Sequence, residues 1–222
     1  MEKIILNGYE FVDMGTNGVL WATCNLGASS PEEYGNYYAW GEIATKDYYS
    51  EKNWAHGNYD YDELLNKGIV TDTGIGYHED SPINSRGNKY TMLEKEFDVV
   101  NKECGGNCYI PEYDDFVALL VRCETSLHEM NGVKGILFTS KVTGNTLFLP
   151  FCGTRVEDTL EDNGVEGEYW TSTAECSDTE CDDCFSNPDF LDISEENRFG
   201  SIARLVINDY FWGRSIRPCM KL

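Results

Sequence analysis

Pro111-Glu112-Tyr113-Asp114-Asp115-Phe116-Val117-Ala118-Leu119-Leu120-Val121-Arg122-Cys123 reads as an amphipathic helix, and its place between two stretches of a different kind decides the fold class. Proline comes before the first turn and acids fill it, which suits the positive end of a helix dipole. Tyr113, Phe116, Val117 and Leu120 recur at helical spacing as one apolar stripe, widened by Leu119 and Cys123. The spacing predicts a helix over 112–123 that packs by that face. Beyond it the pattern changes. Gly135 to Ser140, Leu147 to Phe151, Tyr169 to Ser172 and Ile202 to Ile207 are short apolar runs set off by Gly, Asn and Thr, as strands are. In the last run Ile202, Arg204 and Val206 alternate with Ala203, Leu205 and Ile207, so the two sets point to opposite faces.

Upstream, Ile4-Ile5-Leu6-Asn7-Gly8-Tyr9-Glu10-Phe11-Val12-Asp13-Met14 predicts a hairpin. Asn-Gly between two apolar runs readily takes the positive φ angles of a tight turn. A further strand is expected over Val19 to Cys24. Ser30-Pro31-Glu32-Glu33-Tyr34 carries a helix start: Ser as N-cap, Pro at the first helical position, acids in the first turn. The run Tyr34 to Gly41 is too glycine-rich to extend it far. Residues 43–100 read as an irregular, insertion-like region. Tyr48, Tyr49, Trp54, Tyr59, Tyr61 and Tyr77 stand there among Gly, Asn and Asp, and a short helix is expected from Met92 to Val100. Strands first, helices in the middle and strands last describe a single α+β domain over 1–222.

The 222 residues carry 39 acidic and 17 basic side chains, a net charge of −22. Such a field repels a phosphate backbone and an anionic membrane surface, so nucleic acid is set aside as a partner. No window approaches the ~18 continuous apolar residues of a membrane span, so no membrane insertion is expected. The first residues lack the apolar region of ~7–15 residues that an export signal needs. Aromatic residues make up 13% of the chain, which argues for a packed core. Nine cysteines are present, Cys24, Cys104, Cys108, Cys123, Cys152, Cys176, Cys181, Cys184 and Cys219. The odd number leaves at least one unpaired, and without an export signal reduced thiols are the default.

Leu20-Trp21-Ala22-Thr23-Cys24-Asn25-Leu26-Gly27-Ala28, followed by Pro31-Glu32-Glu33-Tyr34-Gly35-Asn36-Tyr37-Tyr38-Ala39-Trp40-Gly41-Glu42, resembles the opening of the Fibrobacter succinogenes major paralogous domain, a family widespread in Bacteroidetes proteins. Gly144-Asn145-Thr146-Leu147-Phe148-Leu149-Pro150, Tyr169-Trp170-Thr171-Ser172 and Gly213-Arg214-Ser215-Ile216-Arg217-Pro218 fit the same pattern in order. The resemblance runs from about residue 11 to residue 219. It implies a C-type-lectin-like fold related to the formylglycine-generating enzymes, with paired N- and C-terminal strands, flanking helices and a loop-rich ligand face. That fold also carries the variable proteins of diversity-generating retroelements, whose variable positions fall near the C-terminus. The chain departs from the family at Cys108-Tyr109-Ile110-Pro111-Glu112, where members often have a Trp-Arg-Met-Pro-Thr-like run, and 43–100 has no counterpart.

Each chemical constellation has a plainer reading beside it. Formylglycine-generating enzymes use a copper-binding cysteine pair near a C-terminal Arg-rich strand, whereas Cys176-x4-Cys181 here sits in an acidic loop that would raise a thiol's pKa. Cys181-x2-Cys184 is half a zinc knuckle without its second half; Cys104-x3-Cys108 is distant, and His56, His78 and His128 are isolated. Asp178, Glu180, Asp182, Asp183, Asp189 and Asp192 are hard donors of the kind Ca2+ takes, yet no Asp-x-Asp-x-Asp-Gly loop is present, and a solvated acidic loop is the simpler account. No Ser-His-Asp set or phosphate loop is found. The expectation is therefore a binding protein and not an enzyme, without a cofactor, Ca2+ being the one cation the donor set admits. Arg214 and Arg217 read as structural, tying down the last strand.

A recognition surface remains. Glu175, Asp178, Asp182, Asp183, Phe185, Asn187, Phe190, Asn208, Asp209, Tyr210, Phe211 and Trp212 combine rigid aromatic area with adaptable polar groups. The expected partner is a protein or a glycan met by residues 175–190 and 208–212. The sharper version is a retroelement-diversified receptor-binding protein of phage or prophage origin, on a virion or cell surface. The competing readings are a formylglycine-type copper and thiol enzyme and a structural module of a surface assembly.

Overall fold

The structure, a computed structural model, describes residues 4–57, 60–75, 89–176, 187–195 and 202–222. Strands β1 (Ile4–Leu6), β2 (Tyr9–Thr16) and β3 (Val19–Ala22) come first. Helix α1 (Tyr61–Asn66), β4 (Val70–Ile75), β5 (Lys89–Leu93), α2 (Val99–Cys104), β6 (Cys108–Tyr109) and α3 (Tyr113–Arg122) follow. Then come β7 (Cys123–Met130), β8 (Val133–Ser140), β9 (Thr146–Pro150), β10 (Thr154–Val156), β11 (Thr159–Glu161), β12 (Glu166–Cys176), β13 (Asn187–Ser194), β14 (Ala203–Ile207) and β15 (Cys219–Lys221). The α+β reading holds in its coarse form, with strands well outnumbering helices. None of the described helices is long and apolar enough to cross a membrane.

The first hairpin forms where Asn-Gly placed it: Leu6 pairs with Tyr9, and Asn7 and Gly8 take φ of 46° and 89°. The last strand returns to the first ones. β15 lies between β3 and β6 in a sheet of order β1-β2-β3-β15-β6, with Cys219 opposite Trp21. A second sheet runs β14-β13-β12-β5-β4, and β7-β8-β9 form a third. Val19, Leu20, Trp21 and Ala22 are all buried, because β3 faces apolar clusters on both sides. Leu20 and Ala22 join one cluster with Trp40, Trp54, Val100 and Trp170; Val19 and Trp21 join the other with Phe116, Phe138, Phe151 and Tyr169. β12 and β13 are shared in the same way: Trp170 and Phe190 face the first cluster, Tyr169 and Leu191 the second. Each large side chain so buried stabilises the fold by roughly 1.5–3 kcal/mol before entropy is counted.

The predicted helix is α3. Phe116 and Leu119 are fully buried and the Phe116 ring packs 5.1 Å from Trp21. Three expectations are corrected. Ser30 to Tyr34 forms turns and no helix: the Glu33 carboxylate accepts from the amides of Ser29 and Ser30, and the chain then turns back so that Asn36 N donates to Leu26 O at 2.8 Å. The region 43–100 is not merely irregular. It holds α1, whose first turn is capped by Asp60 through Glu63 N at 2.9 Å, and β4 and β5, which extend the second sheet through β12. The helix expected from Met92 begins later, at Val99, capped by Asp98.

Candidate ligand-binding face

The late strands carry a buried charge knot. Glu168 on β12, Asp192 on β13 and Arg204 on β14 lie in one cross-strand row, and Trp170, Phe190 and Val206 form the next row on the same face. Beside β12, on the edge away from β13, runs the segment 213–215, hydrogen-bonded as isolated bridges to Arg155, Tyr38 and Tyr169. It delivers Arg214 onto the face with no exposed surface. Nε of Arg214 donates to Glu168 Oε2 at 2.6 Å and Nη1 to the Asp209 carbonyl at 2.7 Å. The guanidinium lies 4.0 Å from the Phe190 ring centre, 4.2 Å from that of Trp170 and 5.4 Å from that of Trp212. Thr154 Oγ1 donates to the same Glu168 oxygen at 2.6 Å. Burial pulls the guanidinium's pKa down, and Glu168 opposes that pull by favouring the cation. Arg204 holds Asp192 through a 2.8 Å bond nearer the surface. Burial raises the carboxyl pKa of Asp192 and of Asp209, with Arg204 and Arg214 respectively pulling them back.

The sequence-predicted residues fall into three groups around this knot. Asn208 is exposed, and Asn187, Asp209, Phe211 and Trp212 are half-buried, so these five keep surface for a partner. Phe190 and Tyr210 are 2% exposed and do not present their rings outward: Phe190 lies under Arg214, and the Tyr210 ring packs at a tilt against Trp54, 4.1 Å between ring centres. Glu175 is 6% exposed, enclosed on β12 between Asn187 of β13 and Tyr90 of β5, and burial raises its pKa. Asp178, Asp182, Asp183 and Phe185 lie outside the described residues. Tyr210, Phe211 and Trp212 are edge-to-face with one another, at 5.2 and 6.1 Å. They form a ribbon that continues through Trp54 to His56 and Phe97.

Arg217, also without exposed surface, donates to the carbonyls of Ala22 and Phe148 and so ties the final segment to two sheets. Sequence reading placed both arginines as structural but missed Glu168 and Arg204, whose only signal is a cross-strand register invisible before pairing is known. Six described cysteines are free, at 24, 104, 108, 123, 152 and 219, while Cys176 is disulfide-bonded. The Cys108 thiol is pushed up to about 12 and that of Cys123 to about 11, both by burial, so neither is a ready nucleophile at neutral pH. Among the described residues no group of three or more His, Cys, Asp or Glu is placed to hold a metal ion. Comparison with protein-family models, with curated proteins and with solved structures finds no match.

Proposed function

We propose that this chain is a non-enzymatic binding domain of C-type-lectin-like type, recognising a protein or glycan through the surface around Asn187, Asn208, Asp209, Phe211 and Trp212. One observation carries the reading. The half-buried Trp212 ring lies 5.4 Å from a fully buried, ion-paired Arg214, which also holds the Asp209 carbonyl at 2.7 Å. Contact area backed in this way is held in place before a partner arrives, so little ordering entropy opposes binding. The pairing of β15 with β3 supports the same reading, since it brings the first and last strands into one sheet. The ordered resemblance from residue 11 to residue 219 supports membership of the Fibrobacter succinogenes major paralogous domain family.

The test compares wild type with Phe211→Ala/Trp212→Ala and Asn208→Ala/Asp209→Ala on glycan arrays and in protein pull-downs. Loss of a specific ligand in both variants, with thermal midpoints within a few degrees of wild type, is expected. A ligand retained by both variants would move the site elsewhere. The retroelement-diversified version predicts a nearby template repeat of the segment encoding the late residues, differing at adenines, together with a reverse transcriptase. Absence of both from the surrounding genome removes that version and leaves the binding face.

A further inference from the structure

A concave feature lies at the far end of the aromatic ribbon. Residues 41–44 and 55–56 on one side and 95–97, 101 and 102 on the other enclose a cleft of about 620 Å3. Small-molecule sites span roughly 300–1,000 Å3. The apolar part of its lining is packed ring on ring. Phe97 meets the His56 ring edge-on at 5.2 Å, His56 meets Trp54 at 5.0 Å, and Trp54 Nε1 is anchored on the Trp40 carbonyl at 2.9 Å. Beside them Ile43 keeps 40% of its surface exposed.

The charges around this lining are unequal in their commitments. Gly41 O can only accept, so His56 Nε2, 2.9 Å from it, carries the ring proton. Burial lowers the pKa of that imidazole, so it is neutral near pH 7 and adds no positive charge. Lys46 is held by Glu42 at 2.7 Å and by the Asn53 carbonyl at 2.8 Å. Lys67 is held by Glu63 and by the His56 carbonyl. Lys95 and Lys102, both exposed and both lining the cleft, make no ion pair with any described residue. Asp98, beside Lys95, accepts from Asn101 N and Ile110 N at 2.9 Å each, and Lys95 opposes part of the rise that burial gives its pKa without bonding to it. Of the two carboxylates lining the cleft, Glu42 is neutralised by Lys46, and Glu96 is exposed. Lys95 and Lys102 thus place two ammonium groups without an ion pair among the described residues beside one apolar lining.

We infer that this cleft binds a small amphipathic monoanion: a flat ring or short apolar chain against Phe97 and Ile43, its carboxylate or sulfonate met by Lys95 and Lys102. A polyanion would be opposed by Glu96 and by the field of the whole chain. A neutral apolar molecule would gain the lining but leave the lysines unanswered. The site is separate from the face around Arg214, and neither reading depends on the other.

The test uses the aromatic sulfonate 1-anilinonaphthalene-8-sulfonate as probe and its neutral analogue N-phenyl-1-naphthylamine as control, by fluorescence titration of the folded chain at low salt. Saturable binding of one sulfonate per chain is expected. Lys95→Met/Lys102→Met should weaken it by about tenfold, the loss of charge-assisted contacts at an exposed rim, while the neutral probe stays within about twofold. Glu96→Gln should tighten the sulfonate by about twofold. Ala55→Trp, at an exposed position in the cleft wall, should block both probes. Unchanged sulfonate affinity in the lysine pair overturns the inference, even if the tryptophan variant fails to fold. So does sulfonate binding that is lost in Phe211→Ala/Trp212→Ala but kept in the lysine pair, because the probe would then sit on the other face.

Discussion

Replacing Arg214 by methionine keeps the length of the side chain and removes its charge. Glu168 Oε2 then retains only the Thr154 hydroxyl, the Asp209 carbonyl loses its donor, and the Trp170 and Phe190 rings lose the cation between them. Removing one partner of a buried ion pair costs about 3–5 kcal/mol, since the other charge stays desolvated. The Glu168 side chain keeps 16% of its surface, so water relieves part of that, and about 3–4 kcal/mol is expected. For a chain of this length the thermal midpoint should fall by roughly 6–16 °C. Urea unfolding followed by tryptophan fluorescence and far-UV circular dichroism measures the loss directly. Arg214→Lys keeps the charge without the planar fork and should recover less than half of it. Adding Glu168→Gln to the methionine variant removes the stranded charge, so the double variant should be more stable than the sum of the single losses by about 1–3 kcal/mol. A single-variant loss below about 1 kcal/mol, or additivity within about 0.5 kcal/mol, would refute the knot as an electrostatic unit.

Stability should also depend on pH in a stated direction. Burial raises the carboxyls of Asp115, Glu175, Asp189, Asp192 and Asp209. The folded chain thus holds protons more tightly than the unfolded one, a contribution complete below the ordinary carboxyl range and lost as pH rises through the raised values. Thermal midpoints should therefore climb as pH falls from about 7 to about 5, and a steady decline over that interval would contradict the assignment. Asp98→Ala removes the cap on α2 and the acceptor for Ile110 N and should cost about 1–3 kcal/mol in chemical denaturation. Asp98→Asn can satisfy only one of those two amides and should recover about half; full recovery would mean the second bond contributes nothing. Gly153→Ala would place a Cβ 2.2 Å from the Glu161 carbonyl at a φ of +67°, so soluble folded protein at wild-type yield is the outcome not expected.

What the sequence disclosed follows from how local each signal is. Asn7-Gly8 fixed a hairpin by its own backbone preference, and Asn17-Gly18 and Asn131-Gly132 turn in the same way, with φ of 54° and 83° and of 51° and 85°. β7 escaped because Glu124, Leu127, His128 and Glu129 are exposed, leaving no alternation to read, and because its first residue, Cys123, continues the stripe of α3. Ser30-Pro31-Glu32 has the chemistry of a helix start, but the return to Leu26 requires a tight turn a few residues later, and tertiary closure overrides the cap. At the site, the aromatic cluster 210–212 was visible, yet nothing local says that Tyr210 turns in against Trp54 while Phe211 and Trp212 keep surface. The cleft lysines carried no signal at all, because being uncommitted is a property of three-dimensional neighbours.

The late segment separates two duties residue by residue. Asn208, Asp209, Phe211 and Trp212 retain surface, while Tyr210, Gly213, Arg214, Ser215, Ile216 and Arg217 do not. A Cβ at Gly213 would come within 2.8 Å of the Tyr49 ring, so that position is closed by packing. Substitution at the first set changes the chemistry offered to a partner and keeps the Arg214–Glu168 pair, reaching the first cluster only through Phe211 and the guanidinium only through the Trp212 ring. Substitution at the second set strikes Glu168, Tyr38 or Phe148 at once. A surface built this way can accept many side chains at a few positions without losing the fold, because the energy that fixes the segment resides in its buried neighbours. Randomising 208, 209, 211 and 212 should therefore yield mostly folded variants, whereas randomising 213, 214 and 217 should yield few. Equal yields of folded protein from the two libraries, scored by protease resistance, would show that anchor and surface are not separable here.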